Sequence, residues 1–343
     1  MKIGSFDIDE KTLIIAELSA NHGQDIAIAT ETIRAAKRAG ADAIKLQTYT
    51  PDTMTIECDN IYFKEVLKGS IWEGRTLYDL YNEAYTPWDW HQRLFDVARE
   101  EGLICFSTPF DKTSVDFLEQ FNPPAYKIAS FEIQDIPLIE YTASKGRPMI
   151  ISTGIAEFED IDLAVKTCRE TGNNNIVLLK CTSSYPAPIE EANLTTIPNM
   201  KKKFRVEVGI SDHTLGTIAP IVAVSLGARV IEKHFILDKT IGGPDVSFSL
   251  SEKEFSEMVT AVRVAEQATG NVTYRLSEKA KQSKKFARSI FVVKNLKKGD
   301  VITEDAVKSI RPNFGLHPKY LPDIIGKKVN KTIQKGTPFS LDT

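Results

Sequence analysis

Eight short apolar runs recur between residues 13 and 235: LIIAEL, AIKLQT, LICFSTP, AYKIAS, PMIIST, IVLLKCT, EVGISDH and VIEKHF. Longer amphipathic stretches such as AIATETIRAAKRAGA and WDWHQRLFDVAREEG separate them. The runs are continuously apolar rather than alternating. That is the pattern of strands covered on both faces, which requires a parallel sheet with helical crossovers. Eight strand-helix units predict a TIM (β/α)8 barrel in the α/β class, with a doubly wound open sheet as the alternative.

The placement of polar residues favours the barrel. Every run carries them at or near its C-terminal end: Glu17; Lys45 and Gln47; Ser107 and Thr108; Lys127 and Ser130; Ser152 and Thr153; Lys180 and Thr182; Asp212 and His213; His234. Taken singly, each reads as a satisfied core group. Taken together, they are what a barrel gathers around one mouth, where enzymes of this fold place their chemistry.

Charge and composition remove several function classes. Forty-three basic and forty-six acidic residues leave a net charge of −3, which gives no global field to attract nucleic acid or an anionic membrane. An anionic ligand must therefore be held by a local cluster. The first apolar run is too short for a signal-peptide core, and no stretch approaches the roughly 20 apolar residues that span a bilayer. Cys58, Cys105, Cys168 and Cys181 form no CxxC pair and read as reduced core residues of a cytoplasmic protein.

His213 and His234 end consecutive strands, so their imidazoles can converge near the mouth. Two nitrogens with open positions suit a divalent metal completed by oxygens, Mn²⁺ or Mg²⁺, better than a closed zinc site, which wants four protein ligands. Lys45, Lys127 and Lys180, with the hydroxyls of FSTP and ISTG, form a candidate phosphate cradle. A lysine Schiff base is a second functional reading of the same residues. Glu17 is a candidate general base. Asn21 and His22 follow on the first loop, with His22 read either as lining the mouth or as a surface residue. His91, inside WDWHQRLF, reads as packing or solvent-facing. The glycine-led loop GGPDVSFSL brings Asp245 to cover the site or to bind a polyol.

A barrel takes roughly 250 residues, so a chain of 343 has room for a second domain. Beyond Gly270 the polar, basic NVTYRLSEKAKQSKK reads as a linker over 271–285, dividing a barrel domain 1–270 from a small domain 286–343. In the latter, KNLKKGDVI (294–302) and KTIQKGTPF (331–339) share a pattern of Lys, an aliphatic residue two positions on, then Lys-Gly. This predicts a small β domain with two related hairpins. Between the copies, RPNFGLHPK carries Arg311 on a distinctive loop that is a candidate for reaching into an active site.

The segments AELSANH, IKLQTYTPD, STPF, AYKIASFE, STGIA, KCTSSYP, GISDHT, EKHF and RPNFGLHPK together resemble the sialic acid synthase family along essentially the whole chain. AELSANH, KIASFE and FGLHPK are nearer its pseudaminic branch than its N-acetylneuraminate or legionaminate branches. The resemblance implies a barrel followed by a β-rich antifreeze-like (SAF) domain, in a domain-swapped homodimer whose tail loop completes the partner's site. It implies His213 and His234 as metal ligands, with Mn²⁺ preferred over Mg²⁺ or Co²⁺. Lys45, Thr108, Lys127, Ser130, Ser152 and Ser211 would lie near phosphoenolpyruvate. Gln47, Glu132, Tyr185 and Asp245 would contact or organise the sugar, and Arg311 would arrive from the other subunit to hold an acylamino group. Ser183 stands where the sialic acid synthases usually have Asn, which speaks against N-acetylmannosamine as substrate. The implied reaction joins phosphoenolpyruvate to 2,4-diacetamido-2,4,6-trideoxy-L-altrose, with phosphate lost by C–O cleavage to leave a nine-carbon 2-keto acid.

Three other readings stay open at this level. They are the same reaction on N-acetylmannosamine or the legionaminate precursor, a Schiff-base pyruvate aldolase, and a sugar-binding protein on a degenerate barrel.

Overall fold

Alternation along the strands decides which residues meet inside the barrel. In this computed structural model, which describes residues 1–65 and 67–342, the eight apolar runs form strands β3 (Leu13–Glu17) to β10 (Val230–His234) of one closed parallel barrel. A short hairpin, β1 (Lys2–Ile3) and β2 (Phe6–Asp7), precedes them. The other six barrel strands are β4 (Ala43–Thr48), β5 (Ile104–Pro109), β6 (Tyr126–Ile128), β7 (Met149–Ser152), β8 (Ile176–Cys181) and β9 (Glu207–Asp212). β10 closes the ring against β3, pairing Val230 with Leu13 and His234 with Glu17.

Because successive side chains point to opposite faces, the strands feed two separate apolar clusters. Leu13, Ile15, Ala43, Phe106, Ala125, Ile150, Val177, Leu179 and Val230 fill the barrel interior. Their neighbours, including Ile14, Ile44, Leu46, Tyr126, Leu178 and Ile231, face outward and pack with the helices. The β1–β2 hairpin, which the sequence reading did not anticipate, adds Ile3 and Ile8 to the interior cluster. Continued toward the strand ends, the same alternation makes the interior abruptly polar: Glu17, Lys45, Gln47, Thr108, Lys127, Ser152, Cys181, Ser211, Glu232 and His234.

The last barrel helix, Glu252–Thr269, is capped by Ser251 in a reciprocal box with Glu254. Arg263 on this helix donates to the Thr12 carbonyl at 2.7 Å and to Asp42 Oδ2 at 2.5 Å, and the Thr12 amide donates to Glu266 at 2.5 Å. The helix is thereby tied to the entrances of β3 and β4, beside the seam where β10 closes against β3. Closure also depends on Gly209 in β9, since a Cβ there would lie 2.3 Å from the Val230 carbonyl oxygen and 2.7 Å from Leu179 Cδ2. Gly209→Ala is expected to cost about 3 kcal/mol or more of stability, read as a lower denaturant midpoint.

The chain divides into two compact units, Met1–Gly270 and Asn271–Thr343. In the second, β11 (Ser289–Val292) pairs antiparallel with β12 (Val307–Ile310) over a core that includes Ile290, Val292, Leu296, Ile302, Val329, Ile333 and Phe339. The two Lys-Gly copies do not form separate hairpins, as the sequence suggested. They pair with each other: Leu296 and Ile333 exchange both backbone hydrogen bonds, and the Gly299 and Gly336 amides donate to Val329 and Val292 respectively. Two turns too short to bury their aliphatic residues alone do so reciprocally. Among the described residues, no helix is long and apolar enough to cross a membrane.

Candidate active site

Above the apolar floor, four buried charges share the barrel interior. Lys45 Nζ lies 2.7 Å from Glu17 Oε2 and 4.0 Å from Glu232 Oε1, and it donates to Thr108 Oγ1 at 2.9 Å. Lys127 Nζ donates to Ser152 Oγ at 2.6 Å and to the Ile128 carbonyl at 2.9 Å, and it stands 3.9 Å from Glu232 Oε1. Ser211 donates to the same Glu232 oxygen at 3.1 Å, while Gln47 donates to Glu17 and to Ser19, each at 2.9 Å. The four side chains are 1 to 7% exposed, so each charge is tolerable only because the others compensate it.

Burial sets the protonation of the group. It pushes Glu17 up to about 7 even against the neighbouring Lys45. Glu132 is likewise pushed by burial to about 7. Burial lowers Lys127, and Glu232 only partly opposes this. For Glu232 burial works upward, but Lys127 and Lys45 outweigh it and hold the carboxylate ionised. Lys45 is pulled down by burial, yet Glu17 and Glu232 leave it raised. The chamber thus keeps its positive charge most firmly on Lys45, beside two carboxyls, Glu17 and Glu132, that titrate near neutrality.

The histidines stand at the rim of this chamber with ring centroids 5.3 Å apart. His213 Nδ1 donates to the Thr182 carbonyl at 3.0 Å, which leaves Nε2 to offer a lone pair when the ring is neutral. His234 is held neutral by burial and by the nearby cations, and its Nδ1 is buried without a hydrogen-bond partner. Asp245 Oδ2 lies 3.7 Å from that nitrogen and accepts from Ser19 Oγ at 2.5 Å. Two convergent imidazoles, one with an orphaned nitrogen, fit a divalent cation that takes its other ligands from substrate and water. Among the described residues, no group of three His, Cys, Asp or Glu side chains is arranged to hold a metal by itself.

Around the pair, Tyr185 packs 4.4 Å from the His213 ring and Phe248 packs 4.8 Å from the His234 ring, centroid to centroid. Trp72, from the connection after β4, lies 5.7 Å from Tyr185 and donates from Nε1 to the Pro244 carbonyl at 3.2 Å. On another side, Gly154 brings three strand ends together. Its amide donates to Ser130 Oγ at 3.1 Å, and a Cβ there would come within 2.1 Å of Ser183 Oγ, 2.8 Å of Ser130 Oγ and 3.1 Å of Cys181 Sγ. Glu132 Oε2 and Glu232 Oε2 are also buried without hydrogen-bond partners. Orphaned acceptors in such a chamber mark a place built for a ligand.

Most residues singled out from the sequence therefore meet. Glu17, Lys45, Gln47, Thr108, Lys127, Ser152, Ser211 and His234 lie on interior strand positions, with Ser130, Glu132, Ser183, Tyr185, His213 and Asp245 on the adjoining loops. Arg311 belongs to the second unit, where it is exposed just after β12. Several readings are corrected. Lys180 is not in the cradle: one step of alternation turns it outward, where it donates to the Cys181 carbonyl at 2.7 Å. Ser107 also faces outward, 2.6 Å from Thr48, which in turn contacts buried His91 at 2.7 Å. His22 is buried rather than superficial, and it accepts from the Gln24 amide while Asn21 ties the first loop to the Phe235 carbonyl. Cys181 is not core packing but faces the chamber, 3.7 Å from His213 Nδ1. Burial alone would push its thiol up, but His213 outweighs that and brings it to about 7.

Glu232 is the charged chamber residue that the sequence reading does not name, and Ser19, Trp72 and Phe248 join it from the loops. The signal for Glu232 was present, because it stands two positions before His234 and so shares its face.

Two buried lysines, two buried carboxylates and a pair of imidazoles gathered at a barrel mouth are the make-up of an enzyme active site. Within that class the chain belongs to the NeuB family, which residues 32–274 match, while residues 287–343 match the SAF domain. Pseudaminic acid synthase from Campylobacter jejuni is 51% identical over 98% of this chain and 97% of its own length. The pseudaminic acid synthase of Helicobacter pylori is 45% identical over 96% of each, and an N,N'-diacetyllegionaminic acid synthase from Legionella pneumophila is 35% identical over 94% of this chain and 92% of its own. Among solved structures, the N-acetylneuraminic acid synthetase of Leptospira borgpetersenii superposes with a TM-score of 0.74 at 30% identity, covering 82% of this chain and 94% of that one.

Proposed function

We propose that this protein is a pseudaminic acid synthase, condensing phosphoenolpyruvate with 2,4-diacetamido-2,4,6-trideoxy-L-altrose to give pseudaminic acid and phosphate. The observation that carries this reading is the near full-length likeness to two pseudaminic acid synthases at 45 to 51% identity. Identity falls to 35% for the legionaminic counterpart.

Lys45 and Lys127 would hold the phosphate and carboxylate of phosphoenolpyruvate, with Thr108, Ser130, Ser152 and Ser211 supplying short hydroxyl donors. Buried and pre-aimed, these cations need no reorganisation as charge moves onto the departing phosphate. Carbon 3 of the enol attacks the sugar aldehyde, water adds at the electron-poor carbon 2, and the bond from carbon 2 to the phosphate oxygen then breaks. Glu17 would take the proton released by that water, a task suited to a carboxyl titrating near neutrality. His213 and His234 would hold a divalent metal, Mn²⁺ by preference, which when bound supplies Lewis-acid polarisation of the aldehyde oxygen. Gln47, Glu132, Ser183, Tyr185 and Asp245 would orient the sugar.

We assign residues 271–285 as a linker between the barrel and the SAF domain, and place the enzyme in the cytoplasm. It would act as a homodimer in which Arg311 of one copy completes the other copy's site. A chain cut before residue 285 is then expected to stay folded but lose sugar turnover. Full activity in that chain would remove Arg311 from the site.

Phosphate release from phosphoenolpyruvate with Mn²⁺ tests the central reading. Release is expected with the trideoxy altrose and not with N-acetylmannosamine, and it should cease when the metal is chelated. Release with only N-acetylmannosamine would move the protein to the neuraminate branch.

A further inference from the structure

Two buried charges outside the chamber lie against the histidine pair. Asp212 and Lys233 are register partners on β9 and β10, and each immediately precedes one of the two histidines. By the alternation that puts Ser211, Glu232 and His234 inside the barrel, this pair faces the helical layer. Lys233 Nζ donates to Asp212 Oδ2 at 2.5 Å, with side chains 0% and 1% exposed. Lys233 also donates to the Thr214 carbonyl, and Asp212 Oδ1 accepts from the Thr214 amide at 2.9 Å. The residue before His234 therefore grips the residues on both sides of His213.

A buried ion pair is about break-even in stability against a well-packed apolar pair, so stability does not explain its position. What it offers over apolar packing is direction: hydrogen-bonded charges fix one register and one separation, whereas methyl groups slide. We propose that the Asp212–Lys233 ion pair is a positioning device, setting from outside the chamber the spacing at which His213 and His234 present their nitrogens to a divalent metal. This rests on the reading of the two histidines as metal-binding.

The test is Mn²⁺ binding to the full chain without substrates, followed by the electron paramagnetic resonance signal of free Mn²⁺. Removing one partner strands a buried charge, so the informative variant is the double substitution Asp212→Asn/Lys233→Met, which keeps an acceptor for the Thr214 amide. It is expected to melt close to the parent while binding Mn²⁺ about 10- to 100-fold more weakly, the usual size of an outer-shell effect on metal affinity. Parent affinity in the folded double variant would overturn the proposal and leave the pair a purely structural contact. A parent protein that binds no Mn²⁺, either alone or with phosphoenolpyruvate added, would instead overturn the metal reading itself, and the same titration shows which has failed. If the double variant does not fold, Lys233→Arg keeps both charges but lengthens the bridge. It should weaken Mn²⁺ binding in a folded protein, and unchanged binding there counts equally against the proposal.

Discussion

Replacing Lys127 with methionine is expected to lower kcat/KM for phosphoenolpyruvate about a thousandfold, roughly 4 kcal/mol of lost transition-state stabilisation. Methionine nearly preserves the volume of this fully buried side chain, so the loss reports charge and hydrogen bonding rather than a cavity. Lys127 donates to Ser152 at 2.6 Å and balances Glu232 at 3.9 Å. Its removal leaves Glu232 with Lys45, 4.0 Å away, as its remaining cationic neighbour. The variant should therefore also lose stability, about 3 kcal/mol for an under-compensated buried carboxylate. A second substitution, Glu232→Gln, separates the two losses. The double variant is expected to recover most of its denaturant midpoint but none of its turnover, because the positive charge facing the substrate is still missing. Recovery of turnover in the double variant would mean that Lys127 serves only to neutralise Glu232.

The barrel and most of its chamber were legible because one regularity carries both. A strand buried on both faces must be apolar, so a charge near its end stands out, and eight such ends have one place to meet. What the sequence did not reveal was the face each polar residue takes. Lys180 and Cys181 are neighbours in IVLLKCT, where charge alone favours the lysine as the site residue. The register with β7 and β9 turns Cys181 inward and Lys180 out. Ser107 and Thr108 divide in the same way. Glu232 is masked by the terminal histidine of VIEKHF, although period-two spacing from His234 already puts it inside. Trp72 and Phe248 carried no signal of their own, since an aromatic in a loop gains meaning only when the chain folds that loop over the mouth. The reciprocal pairing of the two Lys-Gly turns was visible as a repeat, but a repeat does not say whether its copies pair internally or with each other.

Glu17→Gln carries the other large effect, and here the pH dependence discriminates more than the size of the loss. Burial lifts the Glu17 carboxyl from the ordinary range to about 7. A base of that kind is protonated and idle below neutrality and ionised above it, so kcat/KM for the parent should climb as pH rises through about 7 and then level off. Glutamine keeps an acceptor for the Gln47 amide but cannot take a proton. The variant should lose that rising limb and be slower by about a hundredfold to a thousandfold on its plateau. A second change follows from Lys45, whose raised pKa depends on Glu17 at 2.7 Å. With the carboxylate gone Lys45 releases its proton at lower pH, so the Michaelis constant for phosphoenolpyruvate should begin to rise earlier on the alkaline side. A rising limb near pH 7 that survives in Glu17→Gln would belong to another group, and Glu132, also lifted by burial to about 7, is the one to substitute next. Survival of the limb in Glu17→Gln with its loss in Glu132→Gln would transfer the proton-accepting role from the barrel strand to the loop.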